Sequence, residues 1–387
     1  MQIRSLRSEL AVARQQTDIL FDMISPDALY RRPVAERHRF IFYLGHLDAF
    51  DWNLLARRSM GERSFHPGFD RLFERGIDPA AGDGPADTPG DWPGRTEVER
   101  YNATARSWID SHLDDLDPWI VQMAIEHRLM HAETLAYLMH NLPYDDKRGD
   151  KPCLPASAGE GENAMVKIAG GSVTLGKSRD SFGWDNEHPA TDVQVAEFGI
   201  SQYKISNGEY LAFVSEGGEA PNFWAYHAGE WWWRGMFGMV PLPLQWPVWV
   251  NWRQANAYAK WRGLELPSEA QWQRAAGLCA PNSARDNFGF ERWDPISVVP
   301  ETMTRCAAPA QMTGNGWEWT RDLFAPFAGF EAHPFYAGYS ADFFDGQHYV
   351  MKGASPRTAR LMVRPSFRNW FRPEYPYMYA GFRLVED

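Results

Sequence analysis

The chain has few cysteines, no excess of positive charge and no long apolar run. Its three cysteines, Cys153, Cys279 and Cys306, are scattered over 387 residues, which indicates a reducing compartment rather than a disulfide framework. The net charge of -11 argues against a nucleic-acid partner and against docking on an anionic membrane. No run of about 18 apolar residues is present, so no transmembrane helix is predicted. Residues 1–20 carry charges throughout and lack the apolar core of a signal peptide, so we expect a cytoplasmic protein.

Aromatic residues, in contrast, are abundant. They make up 14% of the chain and include 18 tryptophans, most of which follow residue 180. Such a density fits a hydrophobic core, and it also fits a pocket for a cation or a sugar, because aromatic rings offer an electron-rich face. With 44% hydrophobic and 23% charged residues the composition is that of a globular protein, and the length predicts two or three domains.

Apolar residues recur at helical spacing in the first part of the chain. This periodicity predicts helices at residues 3–23, 38–58, 97–114 and 118–141. Four helices of this length favour an antiparallel bundle. The Gly-, Pro- and Asp-rich stretch at 66–94 is expected to be mostly loop. We therefore predict a helical domain at 1–144, followed by a polar linker at 145–163.

Residues 164–387 show a different pattern. Short runs with alternating apolar residues predict strands near 165–170, 172–176 and 192–201. Helical periodicity returns at 252–262 and at 268–276. The remaining sequence is irregular and rich in Gly, Pro and Trp, so we expect an α+β domain with little regular structure.

Three histidines of the predicted bundle are candidate metal ligands. His127 and His131 are four residues apart on the fourth helix, so their imidazoles lie on one face and could chelate a metal ion. His46 lies in the middle of the second helix among apolar residues, where a histidine on its own is more typical of a core. An antiparallel bundle can bring these two helices side by side, which predicts a three-histidine site with open coordination positions. Imidazole binds Zn, Cu, Fe and Ni, so the donor type does not choose among these metals.

The arrangement of motifs resembles that of a known family. His46 with the pair His127-x-x-x-His131 resembles the DinB-like four-helix bundle of the ergothioneine-biosynthesis sulfoxide synthases. The second half is similar to a formylglycine-generating-enzyme-type domain, which has a C-type-lectin-related fold. This similarity is carried by residues 184–214, 248–276, 314–320 and 366–385. Together the two parts of the resemblance cover almost the whole chain.

The resemblance implies a nonheme iron enzyme. Family members bind Fe(II) through three histidines and use O2 as co-substrate. They join a sulfur atom to the Cε1 carbon of hercynine, the trimethylated betaine of histidine. By position, His46, His127 and His131 carry over as the iron ligands.

The resemblance also implies roles for residues of the second domain. Tyr336 corresponds to a catalytic tyrosine near the iron, and Tyr339 corresponds to a tyrosine beside the hercynine. Asn369 and Trp370 match residues that shape the hercynine pocket. A trimethylammonium group has no N–H to donate, so aromatic faces are its natural partners.

The chain departs from the family pattern where the second substrate is expected to bind. Met130 precedes the second histidine of the pair, where many relatives have a glutamine. Phe371 follows Asn369 and Trp370, where the branch that uses γ-glutamylcysteine has an aspartate. Arg71 and Arg75 are the nearest candidates to bind glutamyl carboxylates, and a solvated surface position fits both of them better.

These departures favour a second substrate other than γ-glutamylcysteine. A branch similar to this family couples hercynine to a selenosugar and so forms the carbon–selenium bond of selenoneine. The aromatic run Trp231-Trp232-Trp233, with Phe223, Trp224 and Phe371, would suit a sugar, although the tryptophans also fit a core. We therefore predict a selenoneine synthase. The alternative is an ergothioneine-type sulfoxide synthase that forms a carbon–sulfur bond with cysteine or γ-glutamylcysteine.

Other classes of protein fit less well. A formylglycine-generating oxidase binds copper through a late pair of cysteines, and this chain has no cysteine after Cys306. A lectin-like binding module would not need three convergent histidines. A zinc-dependent DinB-type thiol transferase would leave the second domain without a task. The Asp-, Asn- and Gly-rich loops of the second domain could hold a structural Ca2+, although the sequence does not identify its ligands. The sequence predicts no oligomeric state.

Overall fold

The computed structural model describes residues 3–74, 85–150, 163–278, 286–299 and 308–386. The chain divides into two compact units, residues 1–150 and residues 151–387. All three cysteines, Arg75 and most of the predicted linker lie outside the described ranges. Within those ranges, no helix combines the length and the apolar character that a membrane crossing requires.

The first unit contains the four helices that the periodicity predicts. These long helices are α1 (Ile3–Asp22), α2 (Phe40–Asp51), α4 (Arg95–His112) and α5 (Pro118–His140), and α3 (Pro67–Leu72) is a short one. Helix α2 continues without a break into π-helical turns at Trp52–Arg58. Helix α1 packs against α5, and α2 packs against both α4 and α5. The helices α2 and α5, which carry the three candidate histidines, are therefore neighbours.

The segment at 66–94, expected to be mostly loop, contains α3. Pro67 occupies the first turn of this helix, and the His66 side chain accepts a hydrogen bond from the amide of Phe69, so both local signals for a helix start are present. At the other end of the unit, the Lys147 ammonium donates to the carbonyl oxygens of Met139 and His140. Lys147 thereby binds the final carbonyls of α5, which have no partner within the helix.

The second unit is built from short strands in several small sheets. The strands are β1 (Met165–Ile168), β2 (Gly171–Leu175), β3 (Thr191–Val195), β4 (Phe198–Ser201), β5 (Trp224–His227), β6 (Glu230–Arg234), β7 (Met239–Pro241), β8 (Gly316–Leu323), β9 (Tyr349–Ala354), β10 (Asn369–Phe371), β11 (Ala380–Gly381) and β12 (Val385–Glu386). Their orders are β1-β4-β12, β10-β9-β8-β11, β2-β3 and β5-β6-β7. The pairings are antiparallel apart from the parallel pair β8 and β11.

In its described part, the second unit contains the helices α6 (Asn207–Ser215), α7 (Trp252–Trp261) and α8 (Glu269–Ala276). Each begins with a capping box, in which the cap side chain and the third helical residue bond each other's backbone amides. The sequence predicts α7 and α8, but it does not predict several other short elements of this unit. Helix α6 and strands β5 to β10 occupy sequence that was expected to be irregular.

Most of the tryptophans that the sequence draws attention to are core residues. The indoles of Trp233, Trp246, Trp249, Trp317 and Trp319 are almost completely buried. The core also encloses an ion-pair cluster, in which the Glu318 carboxylate accepts hydrogen bonds from Lys204 and Arg383. Buried charges of this kind are tolerated because each is paired and hydrogen-bonded.

Candidate metal centre and aromatic cluster

The structure of the first unit brings the three predicted histidines together. One ring nitrogen from each of His46, His127 and His131 lies within 4.8 Å of the corresponding atoms of the other two. The Nε2 atoms of His46 and His131 are 3.2 Å apart. Helix α5 places His127 and His131 on one face with ring centroids 4.5 Å apart, and α2 presents His46 to both. Three ring nitrogens this close together could bind one metal ion.

The protonation of these rings fits a metal site. The Nδ1 atom of His46 lies 2.7 Å from the carbonyl oxygen of Phe73, so Nδ1 carries the proton and donates it, which leaves the Nε2 lone pair facing His131. Burial lowers the pKa of His46 to about 4. Burial also lowers the pKa of His127 and of His131 well below the usual range. All three imidazoles are therefore neutral near pH 7, the form in which histidine binds a metal.

Two aromatic rings of α2 stack on the imidazoles of His46 and His127. The Phe50 ring stacks on His127 at 3.4 Å between centroids and an interplanar angle of 10°. Phe42, one turn before His46, stacks on that ligand at 4.9 Å. This packing restricts the rotamers of the two imidazoles before any ion arrives. An imidazole trio of this kind fits Fe, Zn, Cu or Ni, and three protein ligands leave positions for other molecules.

Met130 lies on the edge of the ligand face of α5. It is half-buried and comes one residue before His131. Its backbone carbonyl accepts a hydrogen bond from the hydroxyl of Thr134, as helical geometry allows. The thioether offers only a weak acceptor where a glutamine would offer an amide.

In the second unit, the two predicted tyrosines belong to one aromatic cluster. The ring centroids of Tyr336 and Tyr339 are 5.6 Å apart. Trp184 stacks on Tyr339 at 3.9 Å, and Trp370 meets Tyr339 edge-on at 5.3 Å. Trp370 also stacks on Phe324 at 4.2 Å. Tyr336, Tyr339 and Trp370 are thus brought together, with Trp184 as a member that the sequence did not single out.

Asn369 and Phe371 do not share this cluster. They flank Trp370 in the three-residue strand β10, where successive side chains point to opposite faces of the sheet. Phe371 stacks instead on Tyr375, with ring centroids 5.0 Å apart. The side-chain oxygen of Asn369 accepts a hydrogen bond from the amide of Trp370. Trp370 therefore faces the tyrosines, and Asn369 and Phe371 face the other side.

A buried polar group adjoins the aromatic cluster and was missed from the sequence. The Ser340 hydroxyl donates to the Asp185 carboxylate and accepts from the side-chain amide of Asn186. Burial raises the pKa of Asp185. Asp185 and Asn186 directly follow Trp184, so the motif Trp184-Asp-Asn was the available signal. This group anchors the backbone next to Tyr339.

The aromatic run of β6 does not form an open wall. Trp233 is fully buried and stacks on Phe223, which is also buried. Trp224 is buried, and its indole donates to the side-chain oxygen of Asn207. Trp231 and Trp232 alone are half-exposed members of the run. Two of the four tryptophans of the predicted sugar-binding wall, Trp224 and Trp233, are therefore core residues.

Comparison with known proteins bears on both units. The family described as Sulfatase-modifying factor enzyme 1-like domain matches residues 152–298 and 306–387. The hercynine oxygenase of Mycolicibacterium thermoresistibile is 30% identical over 335 residues, which cover 75% of each chain. The hercynine oxygenase of Mycolicibacterium smegmatis is 28% identical, and the alignment covers 99% of both chains.

Longer fungal proteins are also similar. Ergothioneine biosynthesis protein 1 of Neurospora crassa is 28% identical over 94% of this chain and 56% of its own length. The chain thus spans about half the length of the fungal relatives it matches. The resemblance read from the motifs is confirmed over the helical unit and the second unit alike. The chain belongs to the family of hercynine oxygenases and ergothioneine biosynthesis proteins, and its own C-terminal part is a sulfatase-modifying factor enzyme 1-like domain.

Proposed function

We propose that the chain catalyses Fe(II)- and O2-dependent coupling of a thiol sulfur to Cε1 of hercynine. The observation that carries the proposal is the convergence of three neutral imidazoles, two buried and one half-buried, in a chain similar to hercynine oxygenases. The names of the relatives support carbon–sulfur coupling over carbon–selenium coupling. Cysteine and γ-glutamylcysteine are the thiols that we propose as second substrate.

His46, His127 and His131 would hold the iron. Iron bound there supplies the reductive activation of O2. The stacked rings of Phe42 and Phe50 hold two of the imidazoles in place, and the neutral state of the ligands removes any need to expel protons from the site.

The aromatic cluster of the second unit is the proposed binding site for hercynine. Tyr339 and Trp370 present ring faces and edges that suit a trimethylammonium group, which cannot donate a conventional hydrogen bond. We assign the phenol of Tyr336 the transfer of a proton during coupling, a general-acid role that depends on reach. Asn369 remains a proposed pocket residue on the other face of β10.

The overall reaction balances without a further reductant. The thiol S–H and the Cε1–H bonds break, a carbon–sulfur bond forms, and the sulfur gains one oxygen atom as a sulfoxide. The two hydrogens leave with the second oxygen atom as water. The substrates lose four electrons, and O2 gains four.

A selenosugar is the second candidate for the donor. Phe371 stacks on Tyr375, so an apolar pair of rings stands where an aspartate would bind the amino group of an amino-acid thiol. Met130 likewise replaces a hydrogen-bonding amide next to His131. Phe371 and Met130, two apolar side chains at positions where polar ones are expected, are the features that favour carbon–selenium coupling.

The test is a comparison of donors. The purified chain, loaded with Fe(II), is incubated with hercynine and O2 and with cysteine, γ-glutamylcysteine or selenoglucose, and the products are identified by mass spectrometry. We expect a sulfoxide of hercynine with one of the thiols and consumption of O2. Selenium-containing product with selenoglucose alone would replace the thiol proposal by the second candidate.

Two variants control the assay. His127→Ala should lose both iron and product, whereas His112→Ala, which removes a histidine on α4, should retain both. Stoichiometric zinc without O2 consumption would favour a thiol transferase and contradict the proposal.

A further inference from the structure

The phenylalanine that follows α3 lies against the helix that carries His46. Phe73 is completely buried, and its ring rests on Gly45, the residue before His46. A Cβ atom at Gly45 would come within 2.6 Å of three ring carbons of Phe73. Real Cβ atoms do not approach other heavy atoms so closely, so the ring can occupy this place only because residue 45 is a glycine.

The same phenylalanine contacts the ligand through its main chain. Its carbonyl oxygen accepts the Nδ1–H of His46 at 2.7 Å. An imidazole ring can rotate and can carry its proton on either nitrogen. This hydrogen bond fixes the orientation of the ring and selects the tautomer with the proton on Nδ1. It leaves Nε2 without a proton and aims it at the Nε2 atom of His131. Hydrogen bonds of this kind orient metal ligands and raise their basicity.

Helix α3 is itself held firmly in the unit. The buried Asp70 carboxylate accepts a hydrogen bond from the Tyr101 hydroxyl of α4 at 2.8 Å. Its backbone carbonyl accepts from the side-chain amide of Asn53 at 3.1 Å. The carbonyl of Phe73 is therefore attached to a segment that two other helical segments fix in place. A movement of the Phe73 ring would shift that carbonyl.

We propose that Phe73 is a positioning residue for the metal site: its ring, seated on Gly45, holds its carbonyl against His46 and thereby presets that ligand. The inference rests on the proposed metal site. It goes further, because it assigns a function to a segment that contributes no ligand. It also explains the requirement for glycine at position 45 in a fully buried helix, where alanine would be the better helix former.

Gly45→Ala tests the proposal in the full-length protein. The added methyl group should displace the Phe73 ring and carbonyl while all three histidines remain. Losing such a supporting hydrogen bond typically weakens metal affinity by about 10- to 100-fold. Co(II) is the probe, because its absorption spectrum reports ligand geometry and its titration gives a Kd without any substrate. We expect a weaker Kd and a changed Co(II) spectrum.

Gly94→Ala is the matched control. It makes the same chemical change in the same unit, at a position where a Cβ atom meets nothing within 4 Å. We expect wild-type affinity for this variant. If Gly45→Ala fails to fold, Phe73→Leu replaces it, since it removes the ring from Gly45 with a smaller change in volume. The expected result is again weaker Co(II) binding by the folded fraction, as judged by circular dichroism.

The outcomes separate this inference from the proposed function. If the wild-type chain binds no metal, the proposed function fails. If the wild-type chain binds Co(II), and folded Gly45→Ala and Phe73→Leu bind it with the same Kd and spectrum, Phe73 has only a packing role and the inference is overturned. A loss of thermal stability without any change in affinity overturns it equally.

Discussion

At the scale of single residues, Tyr336 is the group whose role is most open to direct test. Its ring packs against Tyr339 and Trp184, and a phenylalanine would retain that ring. Tyr336→Phe should therefore keep the cluster and the metal while removing the proposed proton donor. We expect turnover to fall by about 100-fold, or the products to shift from coupling towards oxidised thiol.

The measurement for Tyr336→Phe is product analysis by mass spectrometry alongside O2 consumption and iron content. Tyr226→Phe is a suitable control, because Tyr226 is 64% exposed on β5 and belongs to no proposed site. Unaltered turnover with an unaltered product profile would remove Tyr336 from the mechanism.

The residue scale also shows what the sequence can predict of the site. The spacing of His127 and His131 predicts a shared face of one helix, and this follows from helical geometry alone. The contact between His46 and Phe73 is different, because it joins residues 27 positions apart through a backbone carbonyl. No side-chain pattern encodes such a contact, so the support of the site could not be predicted.

At the scale of the helices, a buried charged layer fixes how the bundle is assembled. The Arg128 guanidinium, next to His127, donates to Asp48 and Asp51 of α2 at 2.7 and 2.6 Å. Arg106 of α4, at the edge of this layer, bonds the same Asp48 and also the exposed carboxylate of Asp18 of α1. These ion pairs therefore connect all four long helices at the level of the three histidines. Polar groups buried in this way can specify the register between helices.

Arg128→Met should destabilise the bundle strongly. Burial raises the pKa of Asp51, and the Arg128 guanidinium offsets part of that rise. Without Arg128 the Asp51 carboxylate would lose its buried cation, and breaking one half of a buried pair costs about 3–5 kcal/mol. Addition of Asp51→Asn should recover part of this loss, because it removes the stranded charge.

Chemical denaturation of the metal-free protein measures these changes. The exposed pair Arg7 and Asp114 provides the comparison, since Arg7→Met should cost less than about 1 kcal/mol. Equal losses of unfolding free energy in Arg7→Met and Arg128→Met would show that the buried ion pairs stabilise the bundle no more than an exposed pair does.

The helices also show where prediction from sequence succeeds. Long helices with a regular apolar stripe were predicted within a few residues of their ends, because periodicity accumulates over several turns. Helix α6 is short and has almost no such stripe, yet Ser206 and Glu209 form the capping box that marks its start. Cap chemistry would have located α6 where periodicity could not. The burial of each tryptophan in β6 depends on which elements cover that sheet. The local sequence does not encode this packing.

At the scale of the whole molecule, the two units carry different parts of the proposed chemistry. All three predicted metal ligands and Phe73 belong to residues 1–150, whereas Tyr336, Tyr339 and Trp370 belong to residues 151–387. The change from helical periodicity to short alternating runs predicted this order of folds. The donor for the proposed coupling could not be predicted in the same way, because its choice would depend on a few side chains such as Phe371 rather than on a fold-wide pattern.

This division predicts that a fragment of residues 1–150 binds metal by itself. The ligands, their stacking rings and the Phe73 carbonyl all lie within that unit, so the fragment should bind stoichiometric Co(II) with the spectrum of the full chain. It should show no hercynine coupling, because the aromatic cluster is missing. Circular dichroism establishes that the fragment is folded, and the same fragment with His127→Ala gives the metal-free baseline. A folded fragment that binds no Co(II), beside a full chain that does, would mean that residues 151–387 supply part of the metal site.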